Sequence, residues 1–226
     1  MLPILFRDER FVVLDKPAGL PVHPGPRGGP SVEDWFPMLS RRKDGPWLVH
    51  RLDADTSGCL VVALRRAALR AAQAEFAVGR AHKTYWAVVR GRPSGEYGTI
   101  DAPLLRRSTR DGWRIVTDPT GQAAVSDWRL RGHADDVAWL ELFPRTGRTH
   151  QVRVHCALLG CPVLGDALYG GGPGPLHLLA RAIVLDLDPP VAATAAPPAH
   201  MHAALARCGC DLGAIASLTA NHRKNS

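Results

Sequence analysis

The sequence predicts an α+β fold, and three observations carry that expectation. Short apolar runs recur along the chain without the strict strand–helix–strand alternation of parallel α/β proteins. Two of them, 123–131 and 137–143, are separated only by the polar stretch Gly132–Asp136, as in an antiparallel hairpin. Two other segments, 66–77 and 149–159, have helical composition or periodicity instead.

In chain order, Phe11–Asp15 reads as a short buried strand, and Lys16-Pro17-Ala18-Gly19 as the turn after it, because Pro fixes φ and Gly permits positive φ. Residues 23–30, with three Pro and three Gly, read as a loop. Arg41-Arg42-Lys43 is a basic cluster before a second turn, Asp44-Gly45-Pro46. Cys59–Leu64 is an apolar strand, and 66–77 a helix with Gly79 placed to end it. Thr84–Arg90 is a strand of β-formers. The helix at 149–159 is stopped by Gly160 and Pro162. Residues 178–187 read as a late strand, and 189–199, with four prolines, as a surface crossing. A short helix is expected at 200–207, followed by residues that fray.

Length and composition bound the function. At roughly 150 residues per domain, 226 residues allow one large domain or two small ones. The formal charge is +7, and only Lys16, Lys43, Lys83 and Lys224 among the 28 cations are lysine. Residues 1–113 carry 18 cations against 12 anions, and residues 114–226 carry 10 against 9, so the excess sits in the first half. A polyanion such as RNA would suit it, and so would an arginine-biased genome. No apolar run approaches the roughly 18 residues of a membrane helix, and Met1–Arg10 lacks a signal-peptide apolar region. Five cysteines cannot all pair, and they do not form a disulfide framework, so a reducing cytoplasm is expected.

Three stretches hold the chemistry. His50-Arg51-Leu52-Asp53-Ala54-Asp55-Thr56-Ser57-Gly58 is a polar, turn-forming segment just ahead of a buried strand, where reactive groups sit on a rigid scaffold. A carboxylate here can act as nucleophile or base, or merely close a turn. In Pro144–His155 a helix would set Arg148, Gln151 and His155 on one polar stripe at i, i+3 and i+7, and Val152, Cys156 and Leu159 on an apolar one. The polar stripe would face a site, or solvent. In Lys83-Thr84-Tyr85-Trp86, Tyr85 reads as core, stacking platform or acid/base group.

His50-Arg51-Leu52-Asp53 followed by Thr56-Ser57-Gly58 resembles the signature of the RluA-type pseudouridine synthases. Leu14-Asp15-Lys16-Pro17-Ala18-Gly19 with Val22-His23-Pro24 resembles that family's N-terminal motif, and Lys83-Thr84-Tyr85 its tyrosine motif. Ile100–Leu104, then Thr146-Gly147-Arg148 to His155, Gly160–Asp166 and Tyr169-Gly170, resemble further family blocks. The blocks follow family order across 11–170. Leu179 departs from the pattern, standing where the family commonly has His.

The resemblance implies a mixed, mostly antiparallel sheet flanked by helices, with a central RNA-binding cleft. It also implies a single catalytic domain over 1–226, with core motifs at 11–188 and a Pro/Ala-rich extension at 189–226. Since the first motif starts near Phe11, a stand-alone catalytic domain without a preceding S4 domain is expected. The implied reaction converts uridine in RNA to its C-glycoside isomer. It needs a carboxylate at the ribose, where oxocarbenium character develops, and no metal or organic cofactor.

By the resemblance, Asp53 is the catalytic aspartate, attacking C1′ or removing the C2′ proton. Arg148 pairs with it, and Tyr85 stacks on the uracil and handles a proton. Arg51 belongs to base extrusion, which opens the glycosidic bond to the pocket. His50, Thr56, Ser57 and Gly58 are the remaining substrate-binding candidates. Arg41, Arg42, Lys43, Arg106, Arg107 and Arg110 are candidates for phosphate contacts. The expected partner is structured RNA, rRNA or tRNA, bound by a monomer.

Other readings remain. A glycosidase would need a second carboxylate, for which Asp55 is available. A non-catalytic RNA-binding protein would need the charge but not an intact Asp53, Arg148 and Tyr85. Zinc at Cys208-Gly209-Cys210 with His200 and His202 is disfavoured by spacing one residue tighter than a zinc knuckle.

Overall fold

The structure, a computed structural model, describes residues 2–25, 28–42, 44–110 and 112–215. Lys43 and the terminal residues expected to fray lie outside the described residues. The first half of the chain runs β1 (Ile4–Arg7), β2 (Phe11–Lys16), a 3-10 turn (Val32–Trp35) into α1 (Phe36–Leu39), β3 (Trp47–Leu48), β4 (Ser57–Ala63), α2 (Arg66–Ala77), β5 (Ala81–Arg90) and β6 (Tyr97–Asp101). The second half runs β7 (Leu104–Thr109), β8 (Gly112–Thr117), β9 (Val125–Ala134), β10 (Val137–Pro144), α3 (Gln151–Leu158), β11 (Leu178–Leu185), β12 (Val191–Thr194) and α4 (Ala199–Arg207). Strands and helices are mixed as the α+β expectation requires. Among the described residues the strand pairs within each unit are antiparallel except β4–β11, which is parallel. Among the described residues no helix is long and apolar enough to cross a membrane.

The described residues fall into two compact units interleaved in sequence. The first holds residues 1–83 and 179–198, with 212–215 of the described tail. Its centre is β4, buried at every position. Such a strand is apolar on both faces, which is why it reads as one unbroken run. It pairs with β2 from Phe11↔Ala63 to Lys16↔Gly58, with β3 at Leu48↔Val62, and in parallel with β11 at Leu179↔Ser57. Gly58 is required where β4 meets β11: its φ is +106°, and a side chain would collide with the Ala180 carbonyl. α2 buries Ala68, Ala72 and Glu75, the i, i+4, i+7 face of its helix. Glu75 is held there by a two-pronged bond from Arg80, at 3.0 and 2.7 Å.

The Pro/Ala-rich segment after β11 is not a bare surface crossing. Its prolines flank rather than interrupt β12, which pairs with β11 and buries alternate residues Val191 and Ala193.

The second unit holds residues 84–178 and 199–211. Its sheet runs β5–β10–β9–β6, antiparallel throughout. Leu140, Leu142, Ala87 and Val89 form the core with Val152 and Cys156 of α3. The β9–β10 hairpin is longer than its sequence suggests, because Gly132 does not lie in the turn. The turn is Asp135-Asp136, with Asp135 at φ +49°. Gly132 marks a register shift inside the ladder, where a side chain would collide with the Cys208 carbonyl. β7 and β8 form a separate two-stranded ribbon, held by a small cluster of Leu104, Ile115, Ala124 and Val154.

Candidate active site

In the first unit the polar segment between β3 and β4 carries Asp53. Its position is set from β2. Lys16, the last residue of that strand, is fully buried, and its ammonium donates to the carbonyls of Pro17, Leu20 and Ala54 at 2.8, 2.7 and 2.7 Å. The Gly19 N–H also donates to the Ala54 carbonyl, and the Thr56 N–H to the Asp53 carbonyl. One cation thereby fastens the turn after β2 to the backbone beside Asp53. Burial pulls the Lys16 pKa down to about 8, against the attraction of Asp55 and Asp53.

His50 is tied into the same scaffold. Its Nε2 accepts the Val61 N–H at 3.0 Å, which in the neutral ring puts the proton on Nδ1. Its ring stacks on Phe76 at 5.3 Å. Burial, and next the charge of Lys83, push its pKa down to about 4. Burial also lowers Lys83, to about 8.

The expected substrate contacts divide accordingly. Arg51 is exposed and Asp53 half-buried. Thr56, Ser57 and Gly58 are buried beneath the loop, with Thr56 and Ser57 2% and 3% exposed. These three shape the loop and offer an RNA almost no surface, and His50 spends its Nε2 on the backbone. Leu179 is buried in β11 beside this strand start.

In the second unit the structure corrects the polar stripe. Arg148 precedes α3, whose first residue is Gln151, and His150 between them takes a left-handed conformation at φ +54°. Gln151 and His155 face inward, 3% and 0% exposed. The Gln151 amide is saturated: Oε1 accepts from the Arg148 N–H and the Thr146 hydroxyl at 2.9 and 2.7 Å. Its Nε2 donates to the Val125 carbonyl and Ser126 Oγ, both at 2.9 Å. His155 Nδ1 meets Ser126 Oγ at 2.9 Å. The stripe therefore braces the turn from inside, while the Arg148 side chain is exposed and donates through Nε to the Ala123 carbonyl.

A ladder of rings runs beside this turn. The Arg106 guanidinium lies 4.5 Å from the Trp113 ring, Trp113 stacks on His150 at 5.2 Å, and His150 meets Tyr169 edge-on. Tyr169 in turn lies under Arg153, which makes a buried two-pronged bond to Asp166 at 2.7 and 2.9 Å. Tyr85 on β5 is half-buried and packs against the core, with Leu142 as its register partner.

Of the phosphate candidates, Arg41 and Arg42 are exposed after α1, with Arg42 3.6 Å from Asp44. Arg106, Arg107 and Arg110 are exposed on the β7–β8 ribbon, where Arg107 meets Asp118 at 3.1 Å. Sequence reasoning missed Arg114, the exposed cross-strand partner of Arg107, because neither ribbon strand shows an apolar alternation. It also gave no role to Lys16, although a lysine ending a mostly apolar strand was a usable signal. In the tail, Cys208 Sγ points at the Val137 carbonyl and His200 Nε2 lies 3.1 Å from the Leu176 carbonyl.

The family model described as RNA pseudouridylate synthase matches residues 10–158, which includes Lys16, the whole Asp53 loop, Tyr85 and Arg148. The chain belongs to the RNA pseudouridylate synthase family. Enzymes of this family are isomerases acting on RNA.

The chain is 43% identical over 170 residues to an RNA pseudouridine synthase of Zymomonas mobilis, covering 74% of this chain and 78% of the relative. It is 38% identical over 191 residues to the ribosomal large subunit pseudouridine synthase D of the same organism, covering 80% of this chain and 60% of that protein. Several of the curated relatives are matched over little more than half their length. Among solved structures, the human RNA pseudouridylate synthase domain containing 4 superimposes with a TM-score of 0.78 at 28% identity, over 92% of this chain and 93% of that one.

Proposed function

We propose that this chain isomerises a specific uridine of large-subunit ribosomal RNA to pseudouridine, with Asp53 acting at the ribose. The observation that carries the reading is the Asp53 loop itself. A half-buried carboxylate is held by backbone that a buried lysine clamps in place, so it meets a ribose with little reorganisation. The glycosidic C1′–N1 bond breaks, the uracil turns, a C1′–C5 bond forms, C5 gives up its proton to solvent and N1 takes one up, so atoms and oxidation state are conserved. Arg148 and Tyr85 serve the same reaction in the roles the family resemblance gives them, and Arg51, exposed beside Asp53, fills the gap left by the extruded base. Similarity to a ribosomal large subunit synthase favours rRNA over tRNA. Five buried, free cysteines suit a reducing cytoplasm.

The rival, a non-catalytic RNA-binding protein, leaves the clamped carboxylate without a purpose. Mapping pseudouridine by carbodiimide reactivity in cellular RNA with and without this protein tests both readings. Loss of one large-subunit site supports the proposal. Loss of a tRNA site would move the substrate, and an unchanged map would leave the binding reading.

A further inference from the structure

We infer that an arginine-lined pocket in the first unit holds backbone phosphates of the substrate RNA away from the target uridine. The inference rests on the reading of this chain as an RNA enzyme. The pocket is a cavity of about 620 Å³ between the end of β1, the segment after α1 and the end of β4. Arg7, Arg41, Arg42 and Arg65 line it, and Glu9 is the single carboxylate among the lining residues, so the wall carries a net +3 (four cations less one anion).

The wall is built rather than accidental. Arg7 Nη2 donates to the Leu39 carbonyl at 2.9 Å, which fixes the base of the Arg41–Arg42 segment. Arg65 meets Glu9 at 3.0 Å, but the Arg65 and Glu9 side chains are 50% and 84% exposed. An exposed pair of this kind is worth little and yields to a phosphate, which takes the planar guanidinium as well as a carboxylate does. Among the described residues no aromatic side chain lines the cavity. A base would find no stacking surface there, so the chemistry recognised is the phosphodiester, independent of sequence.

Its distance from the chemistry follows from β4. Asp53 lies ahead of the first residue of that strand, and the pocket residues Leu64 and Arg65 follow the last. Six residues from Gly58 to Leu64 span about 20 Å at 3.3 Å each. At about 3.4 Å per nucleotide of stacked strand, that is about six phosphates. The site therefore grips RNA that flanks the extruded nucleotide.

The test uses the full-length protein and a fluorescein-labelled 30-nucleotide oligouridylate, read by anisotropy across a salt series. The triple variant R41Q/R42Q/R65Q should bind about tenfold more weakly. Its slope of log affinity against log salt should flatten by about 2, at about 0.7 per lost single-strand contact. Glu9→Gln, a change at a largely exposed side chain, should bind several-fold more tightly. It decides the matter should the triple variant fold poorly by circular dichroism. An unchanged salt slope in a folded triple variant, or unchanged affinity in Glu9→Gln, overturns the inference. So does arginine-dependent displacement of the RNA by polyglutamate at lower charge concentration, which would make the partner an acidic peptide. Tritium release from [5-³H]uridine-labelled large-subunit rRNA separates the two proposals. If the unaltered protein releases none while the oligouridylate results hold, the proposed activity falls and the phosphate site stands. If release proceeds with the same KM in the triple variant, the site falls and the activity stands.

Discussion

The Nδ1 of His150 lies 2.8 Å from the hydroxyl of Tyr169, and that hydroxyl also accepts the Ile115 N–H at 3.1 Å. One phenol thus joins the arginine-bearing ribbon, through Ile115 of β8, to the turn two residues after Arg148. Tyr169→Phe keeps the ring and removes both bonds. We expect a loss of about 1–2 kcal/mol in urea unfolding, from the buried N–H left without its acceptor. The same variant should slow isomerisation more than it weakens RNA binding, measured by single-turnover tritium release against anisotropy. Equal stability in the two proteins would show that the phenol is not bracing the ribbon.

Asp53→Asn preserves shape and removes the charge. Tritium release should fall below detection while the salt-dependent binding of RNA stays within about twofold. Arg148→Lys should also lose most activity, because a point charge cannot replace the planar fork that already spends its Nε on Ala123. Near-normal turnover in either variant removes that residue from the mechanism.

Lys16→Met fills a similar volume without the ammonium. The Ala54 carbonyl keeps the Gly19 N–H, but the Pro17 and Leu20 carbonyls lose their Lys16 donor. With three charged hydrogen bonds lost and a buried charge relieved, the expected cost is about 2–4 kcal/mol. The Asp53 loop should loosen, seen as faster hydrogen exchange over residues 49–56. Stability equal to the unaltered protein would mean the burial penalty cancels the bonds.

Stability should fall on mild acidification because of His50. In the unfolded chain this ring takes up a proton near pH 6.5, while in the fold it stays neutral down to about pH 4. Between those values the unfolded state binds more protons, so stability is full above pH 6.5 and declines as pH falls toward 4. The contribution lost is about 3 kcal/mol. Melting of the unaltered protein and of His50→Asn across this range should show a steeper slope in the former, and parallel curves would contradict the assignment.

What the sequence reveals tracks how completely an element is buried. β2, β4 and β11 are near-continuous apolar runs because they are core strands, and α2 is bounded by Gly79 at φ +76°. β7 and β8 leave no such trace: most of their residues are exposed, and arginines occupy both strands. β12 is hidden by the prolines on either side of it. In the Arg148 stretch the residue types are legible and their directions are not. Gln151 and His155 turn inward because Ser126 and the Val125 carbonyl await them across the fold, and helical spacing alone does not distinguish an internal partner from a site. Likewise no glycine announces the left-handed residue before α3, since His150 itself adopts it. The Asp53 loop is legible as chemistry. What the clamp grips is not, because Ala54 lies 38 residues from Lys16.

The β7–β8 ribbon is anchored by a handful of side chains, among them Leu104, Ile115 and the Tyr169 hydroxyl, while its outer residues stay uncommitted to the core. Outward-facing positions such as the cross-strand pair Arg107 and Arg114 can therefore change without opening the cluster that anchors the ribbon.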